Sequence, residues 1–219
     1  MKNTKLKIIY EDKFLLIVNK PHHLLTIGND KEHENTLYHK VLVYLKQKNK
    51  NNKVFIVHRL DYDTSGLIIF AKDIKTKNIL QENWDKVERK YMAIVNGNIN
   101  PDSNTLKSYL KETKTNLVYS TKSKSGKLAI TNYKVILKTS KISLIDIFIK
   151  TGRKNQIRVQ LSDYGYPIFG DKKYGLKDYC NRMYLCAYYL KFNHPITNQE
   201  LLFELDVPKD FLILLDKMN

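Results

Sequence analysis

"IVHRLDYDTSGLIIF", Ile56 to Phe70, holds two apolar runs separated by a polar break. The runs have the β-branched and aromatic content of buried strands. His58, Arg59, Asp61 and Asp63 lie in the break, and Asp63-Thr64-Ser65-Gly66 has turn chemistry. The stretch predicts a strand, a tight turn and a returning strand, with a cation and two carboxylates gathered at the turn. Arg59 and Asp61 are two apart, so on extended chain they face the same way. A carboxylate beside a cation at a strand end is either a poised base or nucleophile, or a structural ion pair that closes the turn. These residues alone leave both possibilities open, and they do not separate Asp61 from Asp63.

Working outward, "LKIIYEDKFLLIVNKP" reads as two short strands with a turn at Glu11-Asp12-Lys13, stopped by Pro21. Thr36 to Gln47 spaces Leu37, Val41, Leu42 and Leu45 as a helix does. "VFIVHRLD" and "GLIIFAKD" are strand-like. Asp73 or Thr76 caps a helix running to about Val87, with Ile79, Leu80 and Trp84 inward. "KYMAIVNG" is a strand. Ile99 to Lys127 is polar and lysine-rich, with "KSKSGK" its most turn-like part. "LAITNYKVILKT" and "ISLIDIFIKT" form a hairpin. Thr151-Gly152 opens a helix whose first turn carries Arg153 and Lys154, a phosphate-binding arrangement, and which Gly165 ends. "YLCAYYLKF" and "LLFELDVP" are further strands, and Lys209 to Met218 is a terminal helix. Strands dominate, so the fold class is α+β, with a mixed, mainly antiparallel sheet and flanking helices. Residues 1–219 read as a single domain, since no repeat or linker interrupts them.

Composition limits the function classes. The chain has 219 residues, 38 Lys plus Arg against 22 Asp plus Glu, and a net charge of +16, which points to a polyanionic partner, nucleic acid first. No apolar run is long enough to span a bilayer, and the N-terminus lacks the pattern of a signal peptide, so the expected location is the cytoplasm and no membrane partner is expected. Cys180 and Cys186 are the only cysteines and read as reduced thiols. No phosphate loop, dinucleotide fingerprint, HExxH or nucleophile elbow occurs. Arginine is scarce: Arg59, Arg89, Arg153, Arg158 and Arg182 are all there is. In so lysine-rich a chain, a retained arginine suggests a planar, bidentate contact that lysine cannot make.

Taken together, His58-Arg59-Leu60-Asp61 with Thr64-Ser65-Gly66-Leu67, Asn19-Lys20-Pro21, Arg89-Lys90-Tyr91-Met92-Ala93, Thr151-Gly152-Arg153 with Gln156-Ile157-Arg158, and Gly170-Asp171 with Tyr174-Gly175 resemble the RluA-type pseudouridine synthase family. The resemblance implies isomerisation of uridine in tRNA or rRNA, with no metal and no small-molecule cofactor. It implies that Asp61 is the essential carboxylate, that Tyr91 stacks on the flipped uracil, and that Arg158 pairs with Asp61. Arg59 and Arg153 would hold RNA, with Lys20 and Lys154 as further RNA contacts. The resemblance begins near Ile8, so the chain is expected to be the catalytic domain alone, without an N-terminal RNA-binding domain, and to act as a monomer. Asn155, Gln160 and Cys186 stand where relatives usually have His, which bears on RNA contacts or substrate choice. An inactive RNA-binding relative would have no need of Asp61, Tyr91 and Arg158 together. A glycosidase fits poorly with the +16 charge and a single well-supported carboxylate.

Overall fold

The computed structural model describes residues 6–28, 32–176 and 180–218. The chain forms two compact units. One comprises the chain through Val87 together with Tyr189–Glu204, and the other comprises Glu88–Tyr188 and the chain from Leu205 onward. Strand β10 (Leu185–Asn193) begins in the second unit and ends in the first.

In the first unit, β1 (Lys7–Glu11) and β2 (Leu15–Lys20) form a hairpin. Its turn is fixed by Asp12, whose Oδ1 accepts from the N–H groups of Phe14 and Leu15. Helix α1 (Leu37–Lys48) follows, its N-terminus capped by Thr36 Oγ1 accepting from His39 N, and it buries Leu37, Val41 and Leu45. The short β3 (Phe55–Ile56) and β4 (Ser65–Ala71) come next. Residues Leu15–Val18 and Leu67–Ala71 are fully buried, which explains why these strands read as unbroken apolar runs rather than alternating ones. β2 pairs antiparallel with β4, placing Lys20 opposite Gly66. Asp73 caps α2 (Ile74–Glu82), and a single 3-10 turn at Trp84–Lys86 carries the chain on. β11 (Glu200–Glu204) pairs antiparallel with the end of β10.

The strand expected over "VFIVHRLD" stops at Ile56. Beyond it, side chains replace the ladder. Thr26 Oγ1 donates to Leu60 O (2.7 Å) and accepts from Leu60 N (3.2 Å), while His58 Nε2 accepts from Ile69 N (3.1 Å). Leu60 N and O are satisfied in this way, and the Val57 carbonyl accepts from the Gln81 amide, so the segment holds an irregular path that presents the polar break.

In the second unit, β5 (Glu88–Asn96), β6 (Ser103–Glu112), β7 (Val118–Thr121), β8 (Lys127–Lys138) and β9 (Ile142–Ile149) pair antiparallel in the order β5-β9-β8-β6-β7. The polar, lysine-rich segment from Ile99 to Lys127 therefore carries two strands, β6 and β7. It buries Leu106, Leu110 and Val118 and leaves its lysines outward, a half-buried pattern that the charge obscures. Helix α3 (Gln156–Asp163) packs its Ile157 and Leu161 with Ala93, Val95, Ile145 and Ile147. It starts five residues later than expected. Asn155, its N-cap, has φ 53, so Thr151 to Lys154 form a turn ahead of the helix rather than its first turn. Helix α4 (Lys209–Met218) is where the sequence placed it. The expected class, α+β with a mainly antiparallel sheet, holds.

Gly170 has φ +76, and a Cβ there would lie 2.0 Å from the carbonyl oxygen of Arg182. Gly170→Ala is expected to cost on the order of 3 kcal/mol of stability, measured by urea unfolding, because strain and clash coincide. Parent-like stability would contradict this packing.

Candidate active site

The polar break of the opening stretch is a clamped loop. Lys20, at the end of β2, is 0% exposed. Its ammonium donates to three backbone carbonyls: Leu24 O (2.7 Å), Pro21 O (3.0 Å) and Tyr62 O (3.2 Å). Leu24 N donates to the same Tyr62 carbonyl, and Thr64 N donates to Asp61 O, closing the turn. The loop therefore has a fixed backbone from Asp61 to Thr64. Asp61 is half-buried on it, while Arg59 and Tyr62 are exposed. Asp63 Oδ1 lies 3.4 Å from His23 Nε2, a contact that ties the turn to the preceding segment. Burial pulls the Lys20 amine from its ordinary 10.5 to about 7, with the charges of Asp61 and Asp63 working against that shift.

Lys20 was expected to touch RNA. The structure instead encloses it, with no exposure and with its ammonium engaged by three backbone carbonyls. Its work is to hold the loop that carries Asp61.

The second unit has its own polar centre on α3. Arg158 is buried and makes a fork on Asp171, Nε to Oδ2 and Nη2 to Oδ1, both 2.7 Å. Its guanidinium lies 5.1 Å from the centre of the Tyr174 ring. Asp171 Oδ1 also accepts from the N–H groups of Lys173 (2.9 Å) and Tyr174 (3.1 Å). Burial alone would raise the Asp171 carboxyl; the hydrogen bonds and charge of Arg158, with those two N–H groups, outweigh it and hold the pKa below the usual carboxylate value. The Tyr174 hydroxyl accepts from Val118 N and Asn155 Nδ2, both at 3.0 Å. Thus Asp171 and Tyr174 lock the approach to α3, its N-cap and β7 into one network.

Of the other residues singled out by sequence, Tyr91 is half-buried on β5, opposite Ile147 of β9, and packs against the apolar core. Arg153 and Lys154 are exposed on the turn before α3. Arg153 Nε donates to Leu128 O, and Lys154 pairs with Glu112 and donates to Asn116 Oδ1. Gln160 and Cys186, expected to bear on RNA contacts, are 3% and 2% exposed. The Gln160 amide instead donates to Leu106 O, Ser108 Oγ and Ala129 O, fastening α3 to β6 and β8. Asn155 occupies the N-cap position without a side-chain cap bond; its amide donates to the Tyr174 hydroxyl and its Oδ1 accepts from Arg158 Nη1.

A sequence model of the family described as "RNA pseudouridylate synthase" matches residues 14–163, a span that takes in Lys20, Asp61, Tyr91 and Arg158. An uncharacterized RNA pseudouridine synthase of Bacillus subtilis, YhcT, is 34% identical over 211 residues, covering 94% of this chain and 70% of the relative. The chain belongs to the RNA pseudouridine synthase family. It is similar also to the ribosomal large subunit pseudouridine synthase D of Borreliella burgdorferi, 36% identical over 184 residues, which are 80% of this chain and 56% of that one. The solved structure of human RNA pseudouridylate synthase domain containing 4 superposes with a TM-score of 0.81 at 23% identity, covering 97% of this chain and 92% of that one, and so shares the fold. A pseudouridine synthase is an RNA-modifying isomerase, and RNA is the polyanion that the +16 charge anticipated. No helix among the described residues is long and apolar enough to cross a membrane.

Sequence reasoning quoted the Gly170-Asp171 motif of this pseudouridine synthase but gave Asp171 no role. Asp171 lies 13 positions after Arg158, and spacing does not announce a fork across a loop. Removing one partner of such a buried pair strands the other, so Asp171→Asn is expected to lower stability by about 3 kcal/mol in urea unfolding. Lys20 yields a pH test. The native amine gives up its proton near 7 and the unfolded one near 10.5. Between those values the unfolded chain binds more protons, and the free energy of unfolding rises with pH, by up to about 1.4 kcal/mol per pH unit from this group. Lys20→Met should flatten that slope; an unchanged slope in the variant would show that Lys20 titrates elsewhere.

Proposed function

We propose that this pseudouridine synthase isomerises uridine in tRNA or ribosomal RNA, with Asp61 as its essential carboxylate. The observation that carries the assignment is the clamped turn. Asp61 is half-buried on a backbone held by the Lys20 ammonium, in the motif that the family match covers. The name of the Borreliella relative favours ribosomal RNA as the first substrate to try.

The target uridine leaves its stack to reach the carboxylate. Extrusion costs a few kcal/mol, offset by phosphate contacts from Arg59, Arg153 and Lys154. Asp61 acts at the ribose or the base. The N1–C1′ bond breaks, the uracil turns, and a C5–C1′ bond forms. C5 then releases its proton and N1 takes one up, so the product is an isomer and no co-reactant is consumed. Tyr91 stacks on the uracil and takes part in proton transfer. Arg158 pairs with Asp61 and keeps it ionised.

Isomerisation at C5 is read out as tritium released to water from total RNA labelled with [5-³H]uridine. Asp61→Asn is expected to abolish release while changing RNA affinity by less than about threefold. Asp63→Asn should keep the activity and lose some stability. Arg158→Lys should be clearly impaired, since lysine lacks the planar fork. An Asp61→Asn protein that releases tritium at the parent's rate would overturn the assignment of the carboxylate.

A further inference from the structure

The clamped turn also displays an aromatic pair that no step of the reaction uses. Tyr62, directly after Asp61, is 48% exposed. Its ring is stacked on His23, with centroids 5.6 Å apart and planes 20° from parallel. Both partners are fixed from behind. The Tyr62 carbonyl accepts from Lys20 Nζ and Leu24 N. His23 sits in a left-handed backbone conformation (φ 56), its Nε2 faces Asp63, and its ring meets His22 edge-on at 4.6 Å. A ring kept at the surface by a buried clamp loses little further freedom when another flat group is laid on it. In a chain of net charge +16, with Arg59 exposed on the same loop, that flat group is a nucleobase rather than an apolar protein segment.

We propose that the Tyr62–His23 stack is a platform for an unpaired RNA base beside the uridine served by Asp61. The proposal rests on the assignment of Asp61 and adds a substrate contact to the same turn. Every base has a face to stack, so the platform selects an unpaired neighbour rather than a letter of sequence. It favours targets in loops or at helix ends, where the neighbour is already free of its stack.

The test measures tritium release from [5-³H]uridine-labelled total RNA by the full chain, with thermal unfolding as the check on folding. Tyr62→Ala is expected to raise KM about tenfold while kcat falls by less than about threefold, because stacking supplies affinity and not chemistry. Tyr62→Phe should restore most of the lost affinity, since the ring and not the hydroxyl is used, and His23→Ala should raise KM by a smaller factor. A parent-like KM in Tyr62→Ala, or a Phe variant as weak as the Ala variant, overturns the platform. If the parent protein itself releases no tritium, the assigned reaction falls. The platform is then judged by fluorescence anisotropy with a fluorescein-labelled oligouridylate, where Tyr62→Ala must weaken binding about tenfold and an unchanged affinity refutes it.

Discussion

A buried ammonium with three carbonyl partners sets the geometry on which the Asp61 loop of the first unit depends. Lys20 reaches from the last residue of β2 to Pro21, Leu24 and Tyr62, so one side chain joins a strand end, the segment after it and a turn forty-two residues later. Burying that amine is costly, as its depressed pKa shows. The nearby charges of Asp61 and Asp63 reduce that cost without cancelling it, and the three carbonyls accept from the buried group. The loop gains one backbone path in return, and the side chains on it, Asp61 and Tyr62 above all, point from a fixed base. Thr26 and His58 extend the same logic by satisfying backbone groups where the strand ends.

The second unit uses polar side chains in a similar way. Every residue of α3 from Gln156 to Leu161 is buried, including two glutamines and an arginine. The Gln156 amide donates to Ile130 O and Thr131 Oγ1, and Gln160 reaches β6 and β8, so the helix is fastened to the sheet by hydrogen bonds as well as by Ile157 and Leu161. Arg158 then has a rigid platform from which to engage Asp171. Buried polar networks of this kind tolerate little change, because each donor removed leaves an acceptor without its partner.

Much of this was legible in the chain. The apolar runs around Ile17 and Ile69 announced buried strands, the spacing of Leu37, Val41 and Leu45 and the cap at Asp73 announced helices, and the spaced motifs announced the family. The distinction proposed between Asp61 and Asp63 was not legible from local physics, since both are carboxylates on one turn; it rests on the motif. The role of Lys20 was hidden for another reason. A lysine in a basic chain reads as surface, and only the path of residues 21–24 and 62 shows that its head is enclosed. The strands β6 and β7 were masked by their outward lysines, and the late start of α3 by Asn155, whose left-handed conformation no helix propensity signals. The Arg158–Asp171 fork joins residues on two elements, which a linear reading cannot pair.

The central claim is that the turn held by Lys20 serves the isomerisation of uridine in cellular RNA. The most direct measurement is a pseudouridine map of total RNA from cells with and without this gene. The account predicts that one or more positions are pseudouridine when the gene is present, remain uridine in its absence, and return when the gene is restored. Identical maps from the two cells would contradict it.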